Sequence, residues 1–175
     1  MDHPTLRGQR VVLRPVADVD RAQLREILAE PEVARWWGLG GAGSVESEPD
    51  DGEVQLAIEL DGEIVGAIQY AEEDDPDYRH ASIDIFLATR AQGHGIGPDA
   101  IRTLARYLFE VRGHHRLTID PAASNARAIA AYAKVGFRPV GIMRQYERGP
   151  DGTWHDGLLM DLLRPEFSRR PRFCQ

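Results

Sequence analysis

The chain is almost without cysteine: a single thiol, Cys174, stands next to last among 175 residues. One thiol closes no intrachain disulfide, and a cytoplasmic home fits that usage. No apolar run approaches the roughly 20 residues that a membrane span needs. The opening "MDHPTLRGQR" carries no apolar stretch, so neither a secretory signal nor a membrane partner is expected. Positive charge is scarce as well. Lys and Arg number 21 against 28 Asp and Glu, a net charge of −7. Neutralising phosphates needs a basic surface, so nucleic acid is not an expected partner. The histidines form no H-x₃-H pair on a predicted helix and have no cysteine partner, so no metal is expected. Internal repeats and low-complexity linkers are also missing. The length suits one domain over residues 1–175 with one sizeable core, and residues 165–175 read as a flexible tail.

What is present is strongly patterned. "RVVLRPV" (10–16) reads as a strand, and residues 17–30 as a helix with Leu24, Ile27 and Leu28 on one stripe. "EVQLAIEL" and "EIVGAIQY" read as a hairpin turning at Asp61-Gly62. In "ASIDIFLA" (81–88) Ile83, Ile85 and Leu87 point one way, while Asp84 and Phe86 point the other. Ile101, Leu104, Ala105 and Leu108 mark a helix over 98–112, ended by Gly113. "RLTID" (116–120) reads as a strand and residues 125–135 as a helix closed by Gly136. "FRPVGIMRQYE" and "TWHDGLLMDLL" read as two last strands joined across "RGPDG". This order implies a mixed α/β sheet. The acids are bunched in two loops, Glu46 to Glu53 and Glu72 to Asp77. They read either as solvated loops or as a negative rim that draws in a cation.

The densest punctuation is "RAQGHGIGPD" (90–99), with Gly93, Gly95 and Gly97 between a strand and a helix. Glycines here let backbone N–H groups of a loop and a first helical turn approach a phosphate. Pro98 suits the first helical position, where a missing N–H costs nothing. A Walker loop fails, because Pro98-Asp99 stands where Lys-Ser/Thr is needed. A dinucleotide fingerprint, Gly95-x-Gly97-x-x-Ala100 with Asp120 further on, stays open. Against it, only one strand-helix-strand unit surrounds the loop.

Arg90-x-x-Gly93-x-Gly95 followed by Gly97 and a helix resembles the pyrophosphate loop of the GNAT acetyltransferases. "NARAIAAYAKVGF" (125–137) resembles that superfamily's second signature, N-x-x-A-x-x-x-Y-x-x-x-G-F. The resemblance covers roughly residues 81–137. It implies a GNAT fold, a mostly antiparallel sheet of six to seven strands with about four helices, using acetyl-CoA. It implies that Phe86, Leu87, Arg90, Gln92, Gly93, His94, Gly95, Ile96, Gly97 and Asn125 hold the cofactor. Three further matches resemble the aminoglycoside 6′-N-acetyltransferases: "TIDPAASNARAIAAYAKVGF", "SIDIFLA" and "ARWWG". They imply Asp84 as the catalytic aspartate and Trp36 and Trp37 at the acceptor cleft. The ends "LRGQRVVLRPV" and "RQYERGPDGTWHDGLLMDLL" are more similar to acetyltransferases of ribosomal-protein N-termini.

The chemistry can be argued directly. An alkylammonium of pKa about 10.4 must lose a proton before it attacks. Asp84 can bind the cation and take that proton. Asp120, at the end of a strand beside the loop, reads as a second acceptor contact or as a cap of the turn at Pro121. Tyr132 would donate to the departing thiolate, whose thiol has a pKa of about 8.5. Adjacent Trp36 and Trp37 cannot be equally buried; one packs and the other stacks on a sugar or cation. With its one thiol in the tail, the chain should transfer directly, without an acyl-enzyme. The expected partner is a cationic small-molecule amine, and the chain a monomer or homodimer. Two alternatives remain: a peptide N-terminus as acceptor, or a non-catalytic nucleotide binder.

Overall fold

The computed structural model describes residues 4–37 and 52–168. Glu46, Glu48, Asp50, Asp51 and Cys174 lie outside the described residues. In chain order the strands are β1 (Leu6–Arg7), β2 (Val11–Pro15), β3 (Glu53–Leu60), β4 (Glu63–Glu73), β5 (His80–Leu87), β6 (Arg116–Ile119), β7 (Arg138–Arg148) and β8 (Trp154–Leu163). The α-helices among the described residues are α1 (Arg21–Ala29), α2 (Pro31–Ala34), α3 (Ile96–Glu110), α4 (Ala126–Val135) and α5 (Arg164–Ser168). No helix among them is long and apolar enough to cross a membrane.

The strands form one eight-stranded sheet in the order β1-β2-β3-β4-β5-β6-β8-β7. Every pair is antiparallel except β5 with β6. The expected count of six to seven strands is exceeded by β1, whose two residues are too short to leave a pattern. The helix over 98–112 starts earlier, at Ile96, so Pro98 sits inside the first turn rather than opening it. The tail is ordered at its start: α5 lies within it, and Phe167 packs on Phe109 with ring centroids 5.4 Å apart.

The expected turn at Asp61-Gly62 is present. Asp61 has φ 52 and Gly62 φ 83, the two left-handed residues of a type I′ hairpin. Alternation along the strands feeds two cores. Ile83 joins Ile101, Leu104 and Leu108 of α3 on one face. Phe86 joins Leu24, Ile27 and Leu28 of α1 on the other. Asp84 shares the face of Phe86, as the period of two requires.

Two features position the site. First, β5 and β6 run together only at Ala81↔Leu117 and Ser82↔Thr118 and then part. The rest of β5, Ile83 to Leu87, presents an edge that β6 does not cover. Second, the buried carboxylate of Asp99, in the first turn of α3, anchors the β1–β2 turn. It accepts from the backbone N–H of Gln9 at 3.0 Å, Arg10 at 2.9 Å and Val11 at 3.1 Å. Arg10 then donates from Nη1 to the His94 carbonyl at 2.9 Å, so the N-terminal hairpin braces the glycine loop. Gly8 is required there, because a Cβ would come within 2.6 Å of Thr103 Oγ1 and 2.9 Å of Asp99 Oδ2. Asp99→Ala would strand three donors and is expected to cost about 3 kcal/mol, read from the urea midpoint. A loss below about 1 kcal/mol would show that this anchor is dispensable.

Candidate active site

The glycine loop folds as its sequence demands. Gly93 and Gly95 both have φ 79, where a side chain would be strained. Gly95 caps α3, and the first-turn N–H groups of Ile96 and Gly97 have no partner within the helix. A cavity of about 490 Å³ opens beside them, lined by Phe86, Leu87, Gln92, Gly93, Gly95 and Gly97. Three cations, Arg102, Arg127 and Lys134, stand on the same wall. Arg127 donates from Nη1 to Gln92 Oε1 at 2.9 Å, which ties α4 to the loop. A glycine bend, a helix N-terminus and three cations are a donor set for a diphosphate.

Not every expected cofactor residue turns toward that cavity. The Arg90 guanidinium pairs with Glu63 at 3.2 Å and reaches the Ile64 carbonyl instead. His94 contributes its carbonyl to Arg10, and the Ile96 side chain is buried in the core. None of these three residues lines the cavity. Asn125 caps α4 as expected, its Oδ1 accepting from the Ala128 N–H at 3.1 Å.

A second cavity of about 490 Å³ lies against the first. Trp36, Trp37, Ile85, Asn125 and Tyr132 line both. The second cavity also holds Asp84, Asp120, Pro121, Ala122, Tyr146 and Glu147. Thus β5, the end of β6, α4 and the residues after α2 bring together all the expected catalytic and acceptor residues, and β7 adds Tyr146 and Glu147. Trp37 packs edge-on against Phe86, with centroids 5.1 Å apart. Trp36 carries the guanidinium of its neighbour Arg35 on its ring at 4.6 Å. Both are half-buried, and the cation on Trp36 comes from the protein itself.

Asp84 is exposed to the cavity, and its Oδ1 accepts the Ile85 N–H at 2.9 Å. Loss of solvent pushes its carboxyl up to about 7, and the charges of Asp120, Glu147 and Glu53 push the same way. Burial raises the Tyr132 phenol above its ordinary value, with Asp84 and Asp120 adding to the shift, so it stays protonated. The sequence did not mark Tyr146, Glu147, Arg102, Arg127 or Lys134. Arg127 falls within the second signature and is legible as a cation beside a phosphate loop; Tyr146 and Glu147 lie in a strand whose alternation is broken.

The second acidic loop lies elsewhere. Residues 74–79 join the far ends of β4 and β5, away from the glycine loop. Glu72 pairs with Arg112 at 2.8 Å and with the buried His114 at 3.1 Å, and Arg79 donates to the Arg112 carbonyl. The negative wall at the cavity is therefore Asp84, Asp120 and Glu147. His155 is held by Asp151 at a hairpin tip, and among the described residues no His, Cys, Asp and Glu cluster could hold a metal.

A glycine-loop cavity flanked by cations and an acid-lined cavity thus share a wall that includes Tyr132. The Acetyltransferase (GNAT) family model matches residues 17–137, and the chain belongs to that family. GNAT enzymes use acetyl-CoA, so the cofactor is acetyl-CoA, and the dinucleotide reading is set aside. An aminoglycoside N(6')-acetyltransferase type 1 from Serratia marcescens is 32% identical, over 97% of this chain and 91% of that protein. RimJ of Mycobacterium smegmatis, solved with CoA-disulfide, superposes with a TM-score of 0.83 at 28% identity, covering 95% of this chain and 90% of RimJ. AAC(6')-Ib, solved with paromomycin and acetyl-CoA, gives 0.76 at 27% identity, covering 95% of this chain and 100% of that one.

A carboxyl raised in the folded state adds stability that is complete below about pH 4 and is lost as pH rises through about 7. Asp84→Asn removes that penalty. The variant is expected to melt above the parent at pH 8, with the gap closing steadily toward pH 4. A variant that melts below the parent at pH 8 would show that Asp84 is held by contacts rather than strained by burial.

Proposed function

We propose that this chain acetylates a primary amine of an aminoglycoside, at the 6′ position, by direct attack on bound acetyl-CoA. The observation that carries this reading is the shared wall. Trp36, Trp37, Ile85, Asn125 and Tyr132 border both the glycine-loop cavity and the acid-lined one. The likeness to the Serratia aminoglycoside acetyltransferase over nearly its whole length supports the same acceptor.

Bound acetyl-CoA supplies the acetyl thioester and the leaving sulfur. The residues of the chain do the rest. Backbone N–H groups of Gly93 to Gly97 and the cations Arg102, Arg127 and Lys134 grip the diphosphate end. Asn125, its Oδ1 spent on the helix cap, keeps an amide N–H for the ligand. The carboxylate of Asp84 attracts the ammonium and takes its proton. Between an ordinary aspartate at about 3.9 and an alkylammonium at about 10.4 that transfer is uphill by about 6.5 pK units. With Asp84 at about 7 the gap is roughly halved. Tyr132 donates a hydrogen bond to the departing sulfur. Protonated Asp84 is also closely matched to a thiol of about 8.5 and can return that proton to the sulfur, while the second proton of the attacking nitrogen leaves to solvent. Among the described residues no cysteine lines either cavity, which suits direct transfer.

The second reading, a protein N-terminus as acceptor, is favoured by one observation: the TM-score to RimJ exceeds that to AAC(6')-Ib. Its weakness is the three-carboxylate wall, which is built for more charge than one α-amine carries.

A panel of aminoglycosides and short peptides, with free thiol as the readout, separates the two. Turnover of kanamycin-class amines is expected; turnover of peptides alone would replace the reading. The kcat/KM for the amine should rise with pH to a plateau with an apparent pKa near 7. Asp84→Asn should lower kcat by about 10²-fold or more. Unchanged turnover would remove Asp84 as the base. Tyr132→Phe should lower kcat more than it raises KM, and the reverse pattern would make it a binding residue.

A further inference from the structure

Tyr146 has no part in the steps above, yet the fold goes out of its way to place it. It belongs to the outermost strand, β7, and is 49% exposed. The β7–β8 ladder is interrupted beside it. Met143 pairs with Gly157 and Glu147 with His155, so Arg144, Gln145 and Tyr146 stand opposite Asp156 alone. The extra chain bows out of the ladder, and Tyr146 and Glu147 enter the acceptor cavity.

The bow is pinned. Gln145 takes φ 48, a left-handed conformation that non-glycine residues seldom adopt, and its N–H donates to Asp156 Oδ1 at 2.8 Å. Gly157 gives the Tyr146 ring its seat, since a Cβ there would lie 2.8 Å from Tyr146 Cδ1. Tyr146 and Asp120 line the same cavity, and hydrogen bonding toward the Asp120 carboxylate, the largest of the influences on it, pushes the phenol up to about 12. Asp120 closes the strand β6 and is followed by Pro121. Pro121 fixes the backbone of that corner, and Tyr146 lines the same cavity as the carboxylate on it.

We propose that Tyr146 is a positioning residue for the acceptor: held by the bulge that Asp156 pins, it fixes Asp120 across the cavity from Asp84 and so selects acceptors with a second ammonium group. This rests on the amine acetyltransferase reading above. An acceptor with one ammonium group uses only Asp84. An acceptor with two gains from Asp120 only if that carboxylate already points at the second group, because a mobile carboxylate loses rotamer freedom on binding. Tyr146 removes that cost in advance.

The test compares kanamycin with 6-amino-6-deoxyglucose, which offers the same kind of amine and no second cation. In Tyr146→Phe, which keeps the ring and loses the hydroxyl, the ratio of kcat/KM for kanamycin over the monoamine should fall about tenfold. The fall should appear in the kanamycin KM rather than in kcat. Asp156→Ala should reproduce it, and Asp156→Asn, which keeps an oxygen for the Gln145 N–H, should restore the ratio. An unchanged ratio in a Tyr146→Phe protein that melts with the parent overturns the proposal, as does equal loss on both acceptors. If the parent acetylates neither amine, the aminoglycoside reading itself falls and takes this proposal with it.

Discussion

The site exists because two strands part. β5 and β6 are the sheet's one parallel pair, and their ladder ends at Ser82↔Thr118. The separation has a visible cause in where the backbone hydrogen bonds go next. Beyond β6 the chain turns toward β8: Leu158 donates to the Pro121 carbonyl at 2.8 Å, and Ala123 donates to that of Asp156 at 2.8 Å. Pro121 has no N–H to offer back toward β5. One strand is drawn away, and the other keeps an edge between Ile83 and Leu87. Both cavities lie along that opening, which is why residues as distant in sequence as Trp36 and Tyr132 share a wall.

The opening divides the electrostatics. On one side the partial positive charge of a helix N-terminus is joined by Arg102, Arg127 and Lys134. On the other, Asp84, Asp120 and Glu147 face one another. Each half is a poor place for its own charges and a good place for the opposite ones. Asp84 shows the consequence most directly. The desolvation and the neighbouring carboxylates that push its proton affinity up to about 7 weaken the fold at alkaline pH and, in the proposed reaction, would bring a base closer to the amine it deprotonates.

Much of this was legible in the chain. The glycine loop, the Asn125 cap, the hairpin at Asp61-Gly62 and the opposed faces of Asp84 and Ile85 follow from local rules of spacing and conformation. What was not legible depends on contacts between distant segments. Nothing near Asp99 in sequence predicts that its carboxylate serves the backbone of Gln9, Arg10 and Val11. Nothing near Arg90 in sequence predicts that its guanidinium reaches Glu63 and the Ile64 carbonyl. Tyr146 was hidden for a different reason: a bulge cancels the alternation by which a strand residue is assigned to a face, and only the ladder shows the interruption.

The two cavities also differ in what holds them. The cofactor side is made by β5, α3 and α4, whose apolar faces form the main core, and the N-terminal hairpin braces its loop. The acceptor side borrows from the margins: Trp36 follows the short helix α2, and Tyr146 and Glu147 sit on the edge strand. Changes at an edge disturb few packed neighbours, whereas a change behind the glycine loop propagates through a buried helix. A scaffold built this way keeps its cofactor while its acceptor changes. One backbone then accommodates both RimJ and an aminoglycoside acetyltransferase among its structural neighbours. It follows that the acceptor of this chain is to be read from β7 and the residues after α2, not from the glycines that identify the family.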